Sequence, residues 1–166
     1  MIKFLVMDVD GTLTDGKIYM GESGELFKAF DVKDGCGIKD ILPQKGIIPV
    51  VITARKSEIL CNRCRELGVT ELYQNIRDKK SKLDDILNRW SESDAVEYNY
   101  SNVAYIGDDI LDLQCMLPIK EAGGMIGCPS DAVEKIRYIA DFISKKNGGN
   151  GAVREFIEFV CVQEEN

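Results

Sequence analysis

The feature that most constrains the fold of this chain is an apolar segment near its start that runs directly into acidic residues. Residues 2–7 include one polar side chain, Lys3, and show no alternation of polar and apolar positions after it. This pattern predicts a strand buried on both faces, as in parallel sheets covered by helices. Because ligands of such sheets bind at the carboxyl ends of the strands, we expect functional residues directly after Met7.

Asp8 and Asp10 follow this strand with one residue between them, and Gly11 and Thr12 come next. If the strand geometry continues through Asp10, both carboxylates point to the same side. Two such acids shift each other's pKa, so one can be ionised while the other holds a proton. The first could attack phosphorus and the second could protonate the leaving oxygen, with a divalent cation to offset the repulsion between anions. The alternative is an ordinary polar turn.

A second apolar segment, residues 47–52, also ends in polar side chains. The hydroxyl of Thr53 can donate a hydrogen bond to a phosphate oxygen, and Arg55 can pair with a carboxylate or a phosphate in bidentate fashion. At the end of a second parallel strand, this arrangement favours an anion-binding site.

A lysine in the polar stretch before the next predicted helix could neutralise a bound phosphate. The candidates are Lys79, Lys80 and Lys82. A solvated lysine without a specific role is the alternative, since most lysines on such a face keep their charge in water.

Three acids within five residues follow the predicted strand at residues 102–106. Asp108, Asp109 and Asp112 suit Mg²⁺, which prefers one or two carboxylates together with water and phosphate oxygens. Capping of a helix is the alternative role for Asp112 and Asp109. Asp108 comes directly after the strand and a glycine, which favours it as the metal ligand.

Strands alternate with helices along the rest of the chain. Residues 16–30 predict a hairpin, and residues 39–42 a short helix with Asp34 as its N-cap. The alternation predicts an α/β fold, a Rossmann-like doubly wound parallel sheet with helices on both faces, in one domain over residues 1–166. Further strands are expected at 47–52, 71–74, 102–106, 123–127 and 142–143, and further helices at 57–67, 82–90, 130–138 and 152–162.

The composition excludes several classes of function. A formal net charge of −7 argues against a nucleic-acid partner. The chain contains no histidine, which leaves carboxylates, hydroxyls and lysine for catalysis. No apolar run reaches the about 18 residues of a membrane span and no signal peptide is recognisable, so we expect a cytoplasmic protein without a membrane partner. Cys61 and Cys64 lack a second pair at zinc-site spacing, which favours helix packing over a metal or redox role.

Residues 8–12, Asp-Val-Asp-Gly-Thr, match the DxDGT signature of the haloacid dehalogenase (HAD) superfamily of phosphatases and phosphomutases. The resemblance extends over nearly the whole chain. It implies that Asp8 is the nucleophile, Asp10 the general acid/base, Thr53 the phosphate-binding hydroxyl and Lys79 the phosphate-neutralising lysine. It also implies Mg²⁺ held by Asp8, by the backbone carbonyl of Asp10 and by Asp108.

A narrower resemblance is to the phosphatases of 3-deoxy-D-manno-octulosonate 8-phosphate (KDO 8-phosphate). It is carried by residues 8–16, the hairpin, and residues 34–38, 53–55, 78–79 and 148–155. It implies a compact enzyme without a cap domain, and a homotetramer in which hairpins associate and a neighbouring subunit helps to close the site. The implied substrate is a small phosphorylated sugar acid. The expected substrate-binding residues are Thr53, Ala54, Arg55, Lys79 and Gly35, with Ala54 standing where many relatives carry glycine.

Two other functions stay open at this point. Related phosphatases act on nine-carbon ulosonates, KDN 9-phosphate or N-acylneuraminate 9-phosphate, although Arg55 resembles the octulosonate enzymes more. A phosphoacceptor signalling domain, or an accessory domain of a cytidylyltransferase, is the alternative from another class. The one-residue spacing of Asp8 and Asp10 and the following Gly-Thr favour a phosphatase over a signalling domain. The presence of Asp8, Asp10, Lys79 and Asp108 together argues against an accessory domain that has lost activity.

Overall fold

The computed structural model describes residues 1–164, and its strands and helices alternate as the sequence predicts. The strands are β1 (Phe4–Met7), β2 (Tyr19–Gly21), β3 (Gly24–Phe27), β4 (Ile48–Ile52), β5 (Glu71–Tyr73), β6 (Val103–Ile106), β7 (Met125–Cys128) and β8 (Phe142–Ile143). The helices are α1 (Val32–Cys36), α2 (Leu42–Gln44), α3 (Glu58–Leu67), α4 (Lys79–Asp94), α5 (Leu113–Glu121), α6 (Glu134–Ile139) and α7 (Ala152–Glu164). A π-helical turn (Gly37–Ile41) joins α1 to α2, and 3₁₀ turns occupy Tyr100–Asn102 and Ile110–Asp112.

The main sheet has the strand order β5-β4-β1-β6-β7-β8, and each neighbouring pair is parallel. After β1 the chain runs first to β4 on one side and later to β6 on the other. The gap between the ends of β1 and β6 is therefore the topological switch point, where open α/β sheets bind their ligands. The predicted α/β fold class is confirmed.

Helices cover both faces of this sheet. Leu5 and Met7 pack on the side of α3 and α7, whereas Phe4 and Val6 pack on the side of α4, α5 and α6. These four β1 side chains are fully buried. An apolar run without alternation is what a central strand between two helical layers requires.

Pro49 lies inside the sheet, in β4 between β1 and β5. The amide of Ile48 donates to the carbonyl of Lys3 on the β1 side, so the nitrogen of Pro49 faces β5. Pairing with β5 begins only at Val50. Proline is tolerated here because no β5 partner needs a hydrogen bond at its position.

The hairpin forms a separate two-stranded antiparallel sheet from β2 and β3. Met20, Leu26 and Phe27 on this hairpin are each at least half exposed. No segment within residues 1–164 is large enough to form a separate cap. None of the helices in this range is long and apolar enough to cross a membrane.

Two local predictions are wrong. The side chain of Asp31, not of Asp34, caps the first helix, because it accepts from the amides of Lys33 and Asp34. The helix predicted at residues 82–90 begins at Lys79, because the side chain of Asp78 caps it by accepting from the amide of Ser81.

Helix α5 was anticipated in the sequence analysis only as the helix that Asp109 or Asp112 would cap, without a predicted range. It contains Pro118, a residue that disfavours helix interiors. Cys61 and Cys64 both lie on α3, where Cys64 is buried in the core, and burial raises the pKa of its thiol to about 11. A thiol with this pKa stays protonated at neutral pH and packs as a small apolar group.

Candidate active site

A cavity of about 220 Å³ opens at the carboxyl ends of β1 and β4 and at the start of α4. The residues that line it carry four carboxylates from the predicted motifs, one hydroxyl and two cations. They are Asp8, Asp10, Thr53, Ala54, Arg55, Lys79, Asp109, Leu111 and Asp112. The fold thus brings together six of the sequence-predicted site residues, and Asp108 lies beside them.

Lys79 is the cation nearest to Asp8. Its Nζ lies 2.6 Å from Oδ1 of Asp8 and 2.7 Å from Oδ1 of Asp112, and its side chain is 2% exposed. The other two candidate lysines point to solvent, where Lys80 pairs with Asp84 and Lys82 pairs with an acid on the same helix. The position of α4 explains this, because Lys79 is its first residue and lies below the mouth of the cavity.

Burial and neighbouring carboxylates raise the pKa values of two acids in this cluster. Burial and the neighbouring charge of Asp112 raise the pKa of Asp8 to about 6, against the opposing effect of Lys79. Burial, Asp8 and Asp112 raise the pKa of Asp108 to about 8. Burial alone would lower the pKa of Lys79, but its two carboxylate partners outweigh burial and raise it. One ammonium group therefore does not balance the three carboxylates around it.

Asp112 is a central residue for which the sequence left two roles open, a metal ligand and a helix cap. It is 1% exposed, and its Oδ1 accepts from Lys79 and, at 2.7 Å, from the hydroxyl of Tyr105. Its Oδ2 accepts from the amides of Asp108 and Asp109. The capping role is therefore real, but the same carboxylate also holds the lysine of the site. The i, i+4 spacing from Asp108 on a turn was the available signal.

Three carboxylates are placed to hold a divalent cation. Asp8, Asp108 and Asp112 each offer an oxygen within 4.8 Å of the other two. Thr12 donates to Oδ1 of Asp108 at 3.0 Å and orients it. Because Asp112 already accepts four hydrogen bonds, Asp8 and Asp108 are the better ligands. The excess of negative charge and the oxygen-only donor set fit Mg²⁺.

Gly11, the glycine of the first motif, is required because the carboxylate of Asp108 lies directly against its backbone. Gly11 has φ +96°, and a Cβ built on it would lie 2.1 Å from a carboxylate oxygen of Asp108. Behind it, a Cβ on Gly148 would lie 2.0 Å from the carbonyl oxygen of Gly11. The amide of Gly149 donates to the carbonyl of Thr12 at 3.0 Å. The glycine-rich segment before α7 therefore supports the loop that carries Asp8 and the second acid.

Asp10 points away from the three-carboxylate cluster and toward the hairpin. Its Oδ1 lies 2.6 Å from Nζ of Lys28, and its Oδ2 lies 3.8 Å from Nε of Arg55. Glu25 lies 3.0 Å from the same Lys28 and accepts from the hydroxyl of Ser57 at 2.5 Å. The sequence analysis missed Lys28 and Glu25, because a hairpin pattern alone does not tell which of its residues reach the site.

The predicted phosphate-binding segment lies at the end of β4. Thr53 is 2% exposed, and its amide donates to the carbonyl of Tyr73 on β5. The amide of Arg55 donates to the hydroxyl of Thr53 at 3.4 Å, and the side chain of Arg55 is 43% exposed. Thr53 is thus fixed by the sheet, whereas Arg55 reaches over the cavity from its rim.

Gly35 does not lie in this cavity. It is buried in α1, and a Cβ built on it would meet the guanidinium of Arg63 and the side chain of Leu67. Its neighbour Asp34 accepts from the amide of Arg154 at 2.8 Å, at the start of α7. Residues 34–38 and 148–155, two of the segments that carry the narrower resemblance, are therefore in contact. Gly35 itself allows α1 to pack closely against α3.

Sequence comparison identifies close relatives of known activity. The chain is 38% identical over 161 residues to the KDO 8-phosphate phosphatase of Escherichia coli K12, an overlap that covers 97% of this chain and 80% of that protein. No protein-family model matches the chain.

Structural comparison leads to the same group of proteins. The KDO 8-phosphate phosphatase of Yersinia pestis matches with a TM-score of 0.88 at 35% identity, over 99% of this chain and 83% of that chain. The enzyme of Moraxella catarrhalis matches with a TM-score of 0.83 at 37% identity, over 97% of this chain and 86% of that chain. That structure is a complex with a magnesium ion, a phosphate ion and KDO.

Proposed function

Since this chain belongs to the KDO 8-phosphate phosphatases of the HAD superfamily, we propose that it hydrolyses KDO 8-phosphate to KDO and inorganic phosphate. It is a phosphatase, and its cofactor is Mg²⁺. The observation that carries the proposal is the position of Asp8 between Lys79 and Asp108 at the switch point of the sheet. An attacking carboxylate needs a neutralising cation and a metal ligand beside it.

Asp8 performs the first step of the proposed reaction. With a pKa of about 6 its carboxylate is ionised at neutral pH, and Lys79 fixes its orientation. A carboxylate oxygen of Asp8 attacks phosphorus, the bond from phosphorus to the sugar oxygen breaks, and Asp10 gives its proton to that oxygen. The product of this step is an aspartyl-phosphate and the free sugar acid.

Asp10 acts again in the second step. It takes a proton from a water molecule, whose oxygen attacks the phosphorus of the aspartyl-phosphate. The acyl-phosphate bond breaks, phosphate leaves, and Asp8 is restored as a carboxylate while Asp10 is protonated once more. The hydroxyl of Thr53 and the ammonium of Lys79 stabilise the charge on the phosphoryl oxygens in both steps.

The residues that would hold the metal are Asp8 and Asp108, together with the backbone carbonyl of Asp10. When bound, Mg²⁺ supplies positive charge to the phosphoryl oxygens. Asp112 keeps its four hydrogen bonds and positions Lys79 and the Asp108 backbone. This division of roles follows from the hydrogen bonds, because a carboxylate that already accepts four of them has little capacity left for a cation.

Arg55 supports an acidic sugar phosphate as the substrate. Arg55 and Lys79 are the two basic residues among those that line the cavity. Lys79 is engaged by two carboxylates, whereas Arg55 lies 3.8 Å from its nearest acidic partners and can turn toward a ligand. Its bidentate guanidinium suits the carboxylate of an ulosonic acid. The same argument admits a nine-carbon ulosonate, which remains the second candidate.

The exposed apolar face of the hairpin supports association of subunits. Met20 and Leu26 are 59% exposed and Phe27 is 50% exposed. We infer a homotetramer in which hairpins pack on one another and a neighbouring subunit helps to close the site. Leu26→Glu should lower the mass measured by sedimentation without unfolding the chain, and an unchanged mass would contradict this interface.

The test of the proposed function is phosphate release with Mg²⁺ across a panel of sugar phosphates that includes KDO 8-phosphate and KDN 9-phosphate. Asp8→Asn is the control. A strong preference for one ulosonate that is lost in the control supports the chemistry and identifies the substrate. Weak and uniform rates would overturn the substrate assignment. A stable acyl phosphate that forms without repeated turnover would favour a signalling domain instead.

A further inference from the structure

Lys28, at the end of the hairpin, places a buried ammonium group in the active site. Lys28 follows β3 directly, and its neighbour Phe27 is half exposed, yet the side chain of Lys28 is 4% exposed. Its Nζ lies 2.6 Å from Oδ1 of Asp10 and 3.0 Å from Oε1 of Glu25. Lys28 therefore connects the hairpin to the acid/base residue within a single chain.

The charges around Lys28 form a closed ring of alternating sign. Glu25 faces both Lys28 and Arg55, and Asp10 faces the same two cations. Glu25 is itself fixed, because the hydroxyl of Ser57 at the start of α3 donates to it. The ammonium group of Lys28 thus lies between two carboxylates, Glu25 and Asp10. Because Ser57 fixes Glu25, the position of Lys28 relative to Asp10 is fixed as well.

A structural role alone does not account for an ammonium group at this position. Burial of paired charges gives little net stability, and an apolar side chain of similar length would often stabilise the fold as well or better. The hairpin already has an apolar contact of its own, the stacked rings of Tyr19 and Phe27. The charge of Lys28 is therefore best explained by what it does to Asp10.

We propose that Lys28 is a positioning residue that fixes the orientation of the Asp10 carboxylate for proton transfer. This inference rests on the proposed role of Asp10 as the general acid/base. The short contact holds Oδ1, whereas the 3.8 Å separation between Oδ2 and Arg55 is too long for a hydrogen bond. Oδ2 is then the oxygen that gives the proton to the leaving alcohol and later takes one from water.

The test compares Lys28→Met with Lys28→Arg and with Lys17→Met, a matched change of an exposed lysine on the same hairpin. Steady-state kinetics are measured with Mg²⁺ and the best ulosonate phosphate. Lys28→Met should lower kcat by about 10- to 100-fold, a part of what general acid–base catalysis contributes, and leave KM within about two-fold. Lys28→Arg should recover part of kcat, and Lys17→Met should match the wild type.

A second arm shows whether Lys28 acts through Asp10. In an Asp10→Asn background, the additional change Lys28→Met should lower kcat by less than about two-fold, because residues that act as a unit are not additive. Equal losses in both backgrounds would overturn the proposal. So would a rise in KM at unchanged kcat, since that result would make Lys28 a substrate ligand.

Two controls keep the outcomes distinct. If Lys28→Met fails to fold by circular dichroism, Glu25→Gln replaces it, because this change loosens Lys28 without removing it, and its smaller kcat loss must again vanish in the Asp10→Asn background. If the wild type releases no phosphate from any substrate, the proposed function fails. If the wild type is active and Lys28→Met has wild-type kcat, the positioning inference alone fails.

Discussion

Nζ of Lys79 lies 2.6 Å from Oδ1 of Asp8, although 71 positions separate the two residues in the chain. The end of β1 supplies the carboxylate, and the first residue of α4 supplies the ammonium group. A hydrogen bond from the amide of Lys79 to Oε1 of Gln114 on α5 fixes the start of that helix. The pair is therefore held by three elements of the fold, and the site depends on its integrity.

Lys79→Met should remove most of the activity and a large part of the stability. The change leaves Asp8 and Asp112 without their shared cation, and breaking such a buried pair costs about 3 kcal/mol or more. Loss of a charge that stabilises the phosphoryl group should lower kcat by at least about 100-fold. Urea unfolding and phosphate release measure the two effects. Lys80→Met, on the same helix and exposed, is the control, and similar losses in both variants would contradict the assignment.

Much of the site could be predicted because it depends on strand ends. A buried apolar strand followed by Asp8, and another followed by Asp108, meet at one edge of a parallel sheet whatever the helices do. Thr53 follows the same rule after β4. Of the three candidate lysines, Lys79 is the one that lines the cavity, because helix α4 presents only its first residue to the sheet.

The rest depended on contacts that local sequence does not encode. Lys28 reaches Asp10 because of the twist and register of a short hairpin, which the sequence pattern leaves open. Asp112 has the sequence context of a helix cap, and its second role appears only once Tyr105 and Lys79 are in place. Gly35 was expected to bind substrate, but the packing of α1 against α3 places it elsewhere.

Asp112→Asn should impair catalysis more than Tyr105→Phe. An amide presents one acceptor and one donor, so it cannot accept from Lys79 and from the amides of Asp108 and Asp109 together. We expect a loss of about 10- to 100-fold in kcat or in Mg²⁺ affinity, which is typical of residues behind a metal site. Tyr105→Phe removes one of four hydrogen bonds and should have the smaller effect. Mg²⁺ titrations of the initial rate measure both, and the reverse order would contradict the assigned role.

Binding of Mg²⁺ should stabilise the protein more at high pH. The folded-state pKa values of Asp8, about 6, and of Asp108, about 8, are raised above the unfolded value, so ionisation of these groups destabilises the metal-free protein as pH rises through that range. Mg²⁺ requires ionised ligands and relieves their repulsion. Its effect on Tm should therefore be small near about pH 5 and large near about pH 8.

Removal of Mg²⁺ by a chelator is the complementary experiment. EDTA should abolish turnover, and added Mg²⁺ should restore it. Asp108→Asn should remove most of the difference in Tm between the two pH values. An equal Tm shift at both pH values in the wild type would contradict the three-carboxylate cluster as the binding site.

Asp34→Asn should flatten part of the pH dependence of stability. Burial raises the pKa of Asp34 to about 6, so its ionisation between the unfolded pKa of 3.8 and the folded pKa destabilises the fold. The group therefore contributes most stability below pH 3.8, and this is lost as pH rises through about 6. Relative to the wild type, Asn should gain about 2 kcal/mol between about pH 4 and about pH 7, since its oxygen can still accept from the amide of Arg154.

Urea unfolding of both proteins at the two pH values measures this difference. Contributions from Asp8 and Asp108 cancel, because both proteins contain them. Asp40→Asn, an exposed acid near α1, is the control and should show no such change. A pH-independent difference between Asp34→Asn and the wild type would show that this carboxyl group titrates normally.

Arg55→Ala should discriminate between acidic and neutral substrates. If the guanidinium binds the carboxylate of the sugar acid, its loss should raise KM for an ulosonate phosphate by about 10-fold or more, the value of a charged hydrogen bond. KM for a neutral sugar phosphate should change much less. Arg55 also faces Asp10 and Glu25, so a loss of kcat common to both substrates is expected and does not decide the question. The ratio of the two KM changes is decisive, and a ratio near one would show that Arg55 does not recognise the carboxylate.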